Sequence, residues 1–541
     1  MRSKAEVGAA FALYTVVTFC VIGWPFGPAS AVMGYGDDPK VFVWFLAWWP
    51  WAILHGQDPF WSHLVFAPKG YSMAWATSVP TASLMALPWT LTAGPVAAFN
   101  VLTAFAHPTA ATAMFVLMRT LTRRLAASIV AGFLYGFSGF EDGQVLGHLN
   151  LDLDFLFPLM VLAVLLRYRN RTGPGRFVAS LSILLTLQLG LSSEMFALAI
   201  VCGLAVFLMY ASDADAAERR TLRRTFIESA AAAIIAAVVF LPMLASMARG
   251  AAEMPGFVNP PDLYSNDLAN LVVPSKAEWL RSRWSDSVAA RFSGNAEEQD
   301  LYLGLPLCLI VVLFACGRAR RYRFGLLTTL VILLAASLGP SLRFVGHRIL
   351  TPMPWALATH LPLLKGALPC RIGAFVGLVA ALVAGVWIAE GSRRRLALGI
   401  TACVFLLPGP AARTRTSFTR PCLFSPGAAT ASFAPNTTIL LLPYGAGDPM
   451  VWQALSGMRF AQTGGLMSFV PRDEAAGPLV LPLLTGVPPG DLETELLAYA
   501  RKRHLSAVVA GPGTSDQWRR ALASLPWPHH VACSVTILSV P

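Results

Sequence analysis

The chain has 541 residues, of which 55% are hydrophobic and 13% charged, and it carries a formal net charge of +12. A mean hydropathy of +0.59 lies outside the balance of soluble domains and excludes a water-soluble globular enzyme. The basic residues fall in short clusters between apolar runs, such as Arg119/Arg123/Arg124, Arg167/Arg169/Arg171/Arg176, Arg219/Arg220/Arg223/Arg224 and Arg393/Arg394/Arg395. The positive charge therefore reports membrane topology, and nucleic acid is not expected as a partner.

The first apolar stretch, residues 8–26, reads as an uncleaved first span, although the Ala29-Ser30-Ala31 that follows resembles the end of a signal peptide. It delivers a loop carrying Gly36-Asp37-Asp38-Pro39 and then an aromatic run at residues 41–54, expected to form a helix lying in the membrane interface. Residues 79–118 are expected to hold one full crossing and a helix that does not traverse, because an odd number of crossings brings Arg119 into the cytoplasm. Further spans are expected at residues 126–140, 155–167, 177–192, 195–212, 226–247, 305–317, 324–340, 372–391 and 397–410. That makes about eleven crossings, with the C-terminus outside and membrane lipids around them. From residue 411 onward, strand patterns at 438–442, 507–510 and 531–540 and helical patterns at 492–502 and 516–525 predict a small α/β domain. The expected organisation is a polytopic α-helical membrane domain over residues 1–410 and an extracytoplasmic α/β domain over residues 411–541.

Walker and dinucleotide-binding motifs, a nucleophile elbow and a zinc-protease helix motif are missing from the sequence. In their place, polar residues gather on the face expected to be outside. They are Asp37 and Asp38 in the first loop, then Glu141, Asp142 and His148 in the second. Glu194 follows at a turn, Glu298 and Tyr302 in a long loop, and Lys365 and Arg371 at the outer end of a span. Ionised carboxylates at the lip of a membrane helix are costly to desolvate, so Asp37 and Asp38 point to chemistry at the water boundary. A general base needs a carboxylate close to a nucleophilic hydroxyl, and a departing phosphate needs a cation or a metal. Lys365 and Arg371 stand against the topological charge bias and are candidates for gripping an anion. Asp38, Glu141 and Asp142 are candidate ligands of a divalent metal. The blander readings are that an Asp before Pro turns the chain, that Glu141 and Asp142 are solvated loop charges, that His148 bonds backbone, and that outer cations meet lipid headgroups.

Four groups of residues taken together carry a resemblance. They are Gly36-Asp37-Asp38-Pro39 ahead of an aromatic helix, Gly147-His148-Leu149-Asn150 with Phe157-Pro158-Leu159, Glu298-Gln299-Asp300-Leu301-Tyr302-Leu303-Gly304, and Leu442-Pro443 with Asp448 and Gln453. This set resembles the multi-pass GT-C glycosyltransferases of bacteria. The resemblance implies an enzyme of the bacterial plasma (inner) membrane that moves a hexosyl or pentosyl group, with inversion, from a polyprenyl-phosphate-sugar donor. The acceptor would be a glycan, a lipid or a protein on the extracytoplasmic face. It further implies that a first-loop acid is the catalytic base, which leaves Asp37 and Asp38 both open, and that the other residues named above bind substrate. Two readings compete: a secondary transporter or lipid flippase, whose ionisable groups belong near the bilayer midplane, and a non-catalytic assembly protein presenting its outer domain.

The eight cysteines show no paired spacing for zinc or thiol exchange. Cys422 and Cys533 differ from the rest in falling within the C-terminal domain, where an oxidising compartment would allow a bond closing a loop of about 110 residues.

Overall fold

The computed structural model describes residues 2–254, 259–318, 321–361, 364–435 and 437–541. The chain folds as two units, the first made of Met1–Pro25, Val101–Val239 and Asn259–Thr414, the second of Phe26–Asn100, Phe240–Val258 and Arg415–Pro541. The unit that holds the C-terminal sheet thus also takes in the first loop, which the sequence had grouped with the membrane helices.

The first unit is helical because its apolar runs are continuous and must satisfy their backbone groups internally. Each expected span coincides with a helix, among them Arg2–Val21, Leu125–Gly136, Leu156–Tyr168, Ser193–Ser212, Gly304–Ala315, Arg321–Ser337 and Gly373–Ala389. The helix Gly373–Ala389 is buried on nearly every face and packs against Leu125–Gly136, Gly304–Ala315 and Arg321–Ser337. Among the described residues, five helices are long and apolar enough to cross a bilayer, or six if a pair bent by 62° after Val239 is one span. The chain is therefore an integral membrane protein. Several of the eleven expected crossings are short: Leu125–Gly136 and Gly304–Ala315 have 12 residues each. At ~1.5 Å per residue they reach ~18 Å, less than a ~30 Å hydrocarbon core. The ambiguous stretch resolves into two short helices, Pro80–Met85 and Leu87–Ala93, and one long one, Pro95–Thr122. The break falls at Gly94, whose φ of +87° only glycine adopts easily.

The second unit is built on a five-stranded mixed sheet. Thr437–Leu442 runs parallel to both Phe460–Gln462 and Ala507–Ala510, and the hairpin of His529–Ala532 and Val535–Ser539 adds antiparallel to the latter. Alternation along Thr437–Leu442 sends Ile439 and Leu441 into one core and Leu440 and Leu442 into the other. The single strand expected at 531–540 is two, because Cys533 and Ser534 both take positive φ, 55° and 62°, as a two-residue hairpin turn requires. Cys422 and Cys533 are joined by a disulfide, with Cα atoms 5.5 Å apart.

The first loop is stitched to this sheet. Ala31–Met33 pairs antiparallel with Arg415–Ser417. The edge strand exchanges backbone hydrogen bonds with residues 64–67, Gln462 N to Leu64 O at 2.9 Å and Ala67 N to Gln462 O at 3.1 Å, which covers an edge that would otherwise invite pairing. The aromatic run forms the helix Asp38–Leu54, and here the interfacial reading is corrected. Trp44 and Trp48 are 0% and 1% exposed, their rings stack at 5.5 Å, and the helix packs on Gly447–Leu455. Its indoles face a protein core, where a stacked pair adds ~0.5–1.5 kcal/mol beyond area burial.

Candidate active site

The candidate residues divide between the two units. In the second unit, Asp37 is the residue ahead of the helix Asp38–Leu54, and its carboxylate makes no capping bond to that helix. Pro39 accounts for the missing cap in part, since it starts the helix with its φ already set and has no N–H to bond. The Asp37 carboxylate instead meets Lys40 Nζ at 2.9 Å, and its side chain remains 45% exposed. Asp38, in the first turn of the helix, is exposed.

The first unit gathers the remaining acids. Ser138 caps the short helix Gly139–Gln144 by accepting from Glu141 N at 3.4 Å, so Glu141 and Asp142 occupy its first turn, where helix N–H groups favour negative charge. Two glycines allow this helix to lie against the segment that follows Asn295. A Cβ on Gly139 would stand 2.8 Å from Tyr302 O, and one on Gly143 would stand 2.8 Å from Asp300 Oδ1. Glu141 and Asp142 are both 0% exposed, which corrects the reading of solvated loop charges.

Above them stands His107, a residue of the long helix Pro95–Thr122 that the sequence analysis did not single out. Its Nδ1 is 3.8 Å from Glu141 Oε2 and 3.7 Å from Asp152 Oδ1, and its Nε2 is 3.5 Å from Asp142 Oδ1. Among the described residues no donor reaches either oxygen of Glu141, Asp142 or Asp152, and neither nitrogen of His107 has a partner. Asp154 is anchored, accepting from the Tyr135 hydroxyl at 2.6 Å. Burial first, then the neighbouring Asp154 and Asp152, push the Glu141 carboxyl well above its ordinary range. Burial, then Glu278 and Asp152, do the same to Asp142. Glu278 is itself buried and pushed up to about 7 against the pull of Ser275, which donates to it at 2.6 Å and 3.0 Å. Carboxylates crowded in this way hold either a shared proton or a cation.

The His107, Glu141 and Asp152 ligand atoms lie within 4.8 Å of one another. One imidazole with carboxylate oxygens is a donor set for zinc, manganese or magnesium. A proton on Nε2, the nitrogen nearer Asp142, would leave the Nδ1 lone pair on the side of Glu141 and Asp152. A second group, Glu298, Asp300 and Cys370, is already compensated. Arg371 pairs with Glu298 at 2.7 Å and also with Glu194, and the Cys370 thiol donates to Glu298 at 3.2 Å. Burial raises Glu298, yet Arg371 and then His148 hold it below its ordinary value. Asp300 is raised by burial and by Glu298 despite Arg371 and a 2.9 Å bond from Gln144.

Of the other candidates, His148 Nδ1 lies 2.8 Å from the side chain of Gln144, at its Oε1. Glu194 also accepts from Leu368 N at 2.7 Å. Tyr302 is buried at 2% exposure. Lys365 is exposed. The structure thus brings Glu141, Asp142, His148, Glu194, Glu298, Tyr302, Lys365 and Arg371 into one unit and places Asp37 and Asp38 in the other. His107 and Glu278 escaped the sequence reading, since a lone His in an apolar run and a lone Glu in a loop carry no spacing signal.

No protein-family profile matches the sequence, and no curated protein matches it either. Solved structures do. The arabinofuranosyltransferase AftD from mycobacteria superposes with a TM-score of 0.59 at 15% identity, over 99% of this chain and 40% of that one. The chain therefore spans less than half the length of AftD. The oligosaccharyltransferase of Archaeoglobus fulgidus superposes with a TM-score of 0.54 at 13% identity, over 93% of this chain and 69% of that one. The oligosaccharyltransferase AglB from Archaeoglobus fulgidus, in complex with an inhibitory peptide and a dolichol-phosphate, gives 0.53 at 12% identity, over 94% and 70%. The chain shares the fold of these transferases.

Proposed function

We propose that this protein is a membrane glycosyltransferase that moves a sugar from a polyprenyl-phosphate donor to an acceptor hydroxyl on the extracytoplasmic face, with inversion at the anomeric carbon. The observation that carries the reading is the likeness of fold to AftD over 99% of the chain, with an acidic pair in the first loop and a partly exposed carboxylate at Asp37. In the reaction the acceptor oxygen attacks the anomeric carbon, the bond from that carbon to the phosphate oxygen breaks, and polyprenyl phosphate leaves. Asp37 or Asp38 takes the acceptor proton, and loss of such a positioned base typically costs ~10² to 10⁴ in rate.

The departing phosphate needs positive charge. Arg371 has its charge shared between Glu194 and Glu298, and Lys365, the other candidate cation, is exposed. His107, Glu141 and Asp152 would hold a divalent ion, which when bound supplies Lewis-acid charge. The extracytoplasmic placement of Arg415–Pro541, in a bacterial plasma membrane, is supported by the disulfide between Cys422 and Cys533, since such bonds persist in oxidising compartments.

The test is transfer by the purified full chain in lipid nanodiscs, given farnesyl-phosphate esters of arabinofuranose and of common hexoses with a sugar acceptor panel. Release of farnesyl phosphate together with a glycosylated acceptor supports the reading. Movement of the lipid across the bilayer with the sugar–phosphate bond intact would replace it with a flippase.

A further inference from the structure

Lys40 stands between two carboxylates of the second unit. Its Nζ is 2.9 Å from Asp37 Oδ1 and 2.6 Å from Asp448 Oδ1, and the residue is 7% exposed. Asp448 is itself fixed, because its other oxygen accepts from Thr419 N at 3.1 Å and from Thr419 Oγ1 at 3.0 Å. Burial works against the Lys40 ammonium, but the bonds to Asp448 and then Asp37 outweigh it and raise its pKa. Lys40 is therefore a permanent cation.

The surroundings are shaped for this contact. Gly447 precedes Asp448, and a Cβ there would fall 2.7 Å from Lys40 Cδ and 2.9 Å from Asp37 Oδ1. One turn along the first-loop helix, on the face shared by i and i+4, the Trp44 indole donates to Gln453 Oε1 at 2.7 Å. Gln453 in turn donates to Leu64 O at 2.8 Å and Phe460 O at 2.7 Å. The helix Gly447–Leu455 thus holds the first-loop helix at two points one turn apart.

Charge decides what the group does. A lone ammonium on Asp37 would neutralise it and weaken it as a base. One ammonium shared by two carboxylates leaves a net charge of −1 on the three, so Asp37 has one oxygen fixed and keeps its negative character. We propose that Lys40 and Asp448 are positioning residues for Asp37, through which the C-terminal α/β domain takes part in the reaction at the first loop. The inference rests on reading Asp37 as the catalytic base. It favours Asp37 over Asp38, the neighbouring charge on the same helix.

The test compares full-length Lys40→Met, Lys40→Arg, Asp448→Asn, the Lys40→Met/Asp448→Asn double variant and Asp37→Asn in nanodiscs, with the farnesyl-phosphate sugar that the wild type consumes. A misplaced reacting group costs up to ~10²-fold, so Lys40→Met and Asp448→Asn should each lower kcat ~10- to 100-fold with KM for the donor unchanged. Lys40→Arg should recover most of the loss. The double variant should be no worse than the poorer single one, as expected of residues that act as a unit. Wild-type kcat in Lys40→Met and Asp448→Asn beside an inactive Asp37→Asn overturns the positioning role and leaves the base assignment standing. Full activity in Asp37→Asn removes the base assignment itself. If Lys40→Met fails to fold, Asp448→Asn and Lys40→Arg decide; losses in KM alone, or an additive double variant, also overturn the proposal.

Discussion

Arg371 Nη2 lies 2.7 Å from Glu298 Oε1, and the same guanidinium reaches Glu194 from its other arm. One cation ties together the segment Pro369–Ile372, the turn Ala296–Glu298 and the helix Ser193–Ser212. Removing one partner of a buried pair leaves the other uncompensated and costs on the order of 3–5 kcal/mol. Arg371→Met should therefore lower the unfolding temperature in detergent well below that of Arg371→Lys, which keeps the charge and loses only the fork. A wild-type unfolding temperature in Arg371→Met would show that the pairing contributes nothing to the fold.

The orphaned groups around His107 make a second expectation. Elemental analysis of the purified protein should find a divalent ion at close to one per chain, lost in Glu141→Gln and in Asp152→Asn and retained in Glu298→Gln, where Arg371 already supplies the charge. Chelation should lower the unfolding temperature, and adding the ion back should restore it, because a ligand that binds only the folded state stabilises it. Metal-free wild-type protein with an unfolding temperature indifferent to chelator would leave shared protons as the answer to these carboxylates.

The disulfide carries a third. Bridging 111 residues, it is worth ~4 to 5 kcal/mol in the chain-entropy model. Thiol labelling of the denatured, unreduced protein should leave Cys422 and Cys533 unlabelled, and Cys422→Ser should unfold earlier on heating. A fluorescent reporter that matures only in the cytosol, fused at the C-terminus, should stay dark. A bright reporter would place the sheet on the cytoplasmic side and overturn the proposed extracytoplasmic placement.

Much of the fold was legible because hydropathy alone marks a helix that must bury in lipid, and every expected span has its helix. Legibility failed where two environments want the same residues. Trp44 and Trp48 suit a membrane interface and a protein core equally, and only the partner helix Gly447–Leu455, 409 residues away at the Trp44–Gln453 bond, decides between them. The turn at Cys533 and Ser534 lacks the Asn-Gly signal of a tight hairpin, so two strands read as one. Glu141 and Asp142 were legible as candidates by charge, but their burial depends on Gly139 and Gly143 meeting a segment more than 150 positions away, as the contact of Gln144 with Asp300 shows. Lys40 was invisible as a partner of Asp448 for the same reason, 408 residues of separation.

The first-loop acids remain the point on which the proposed chemistry stands. Asp37→Asn and Asp38→Asn, each inserted in the membrane and folded as the wild type is, should be assayed for sugar transfer from the farnesyl-phosphate donor under single-turnover conditions. Asp37→Asn should fall by ~10² to 10⁴ in rate, the usual cost of losing a positioned base, while Asp38→Asn loses far less. Full transfer by both single variants and by the double variant would contradict the assignment of the base to this loop.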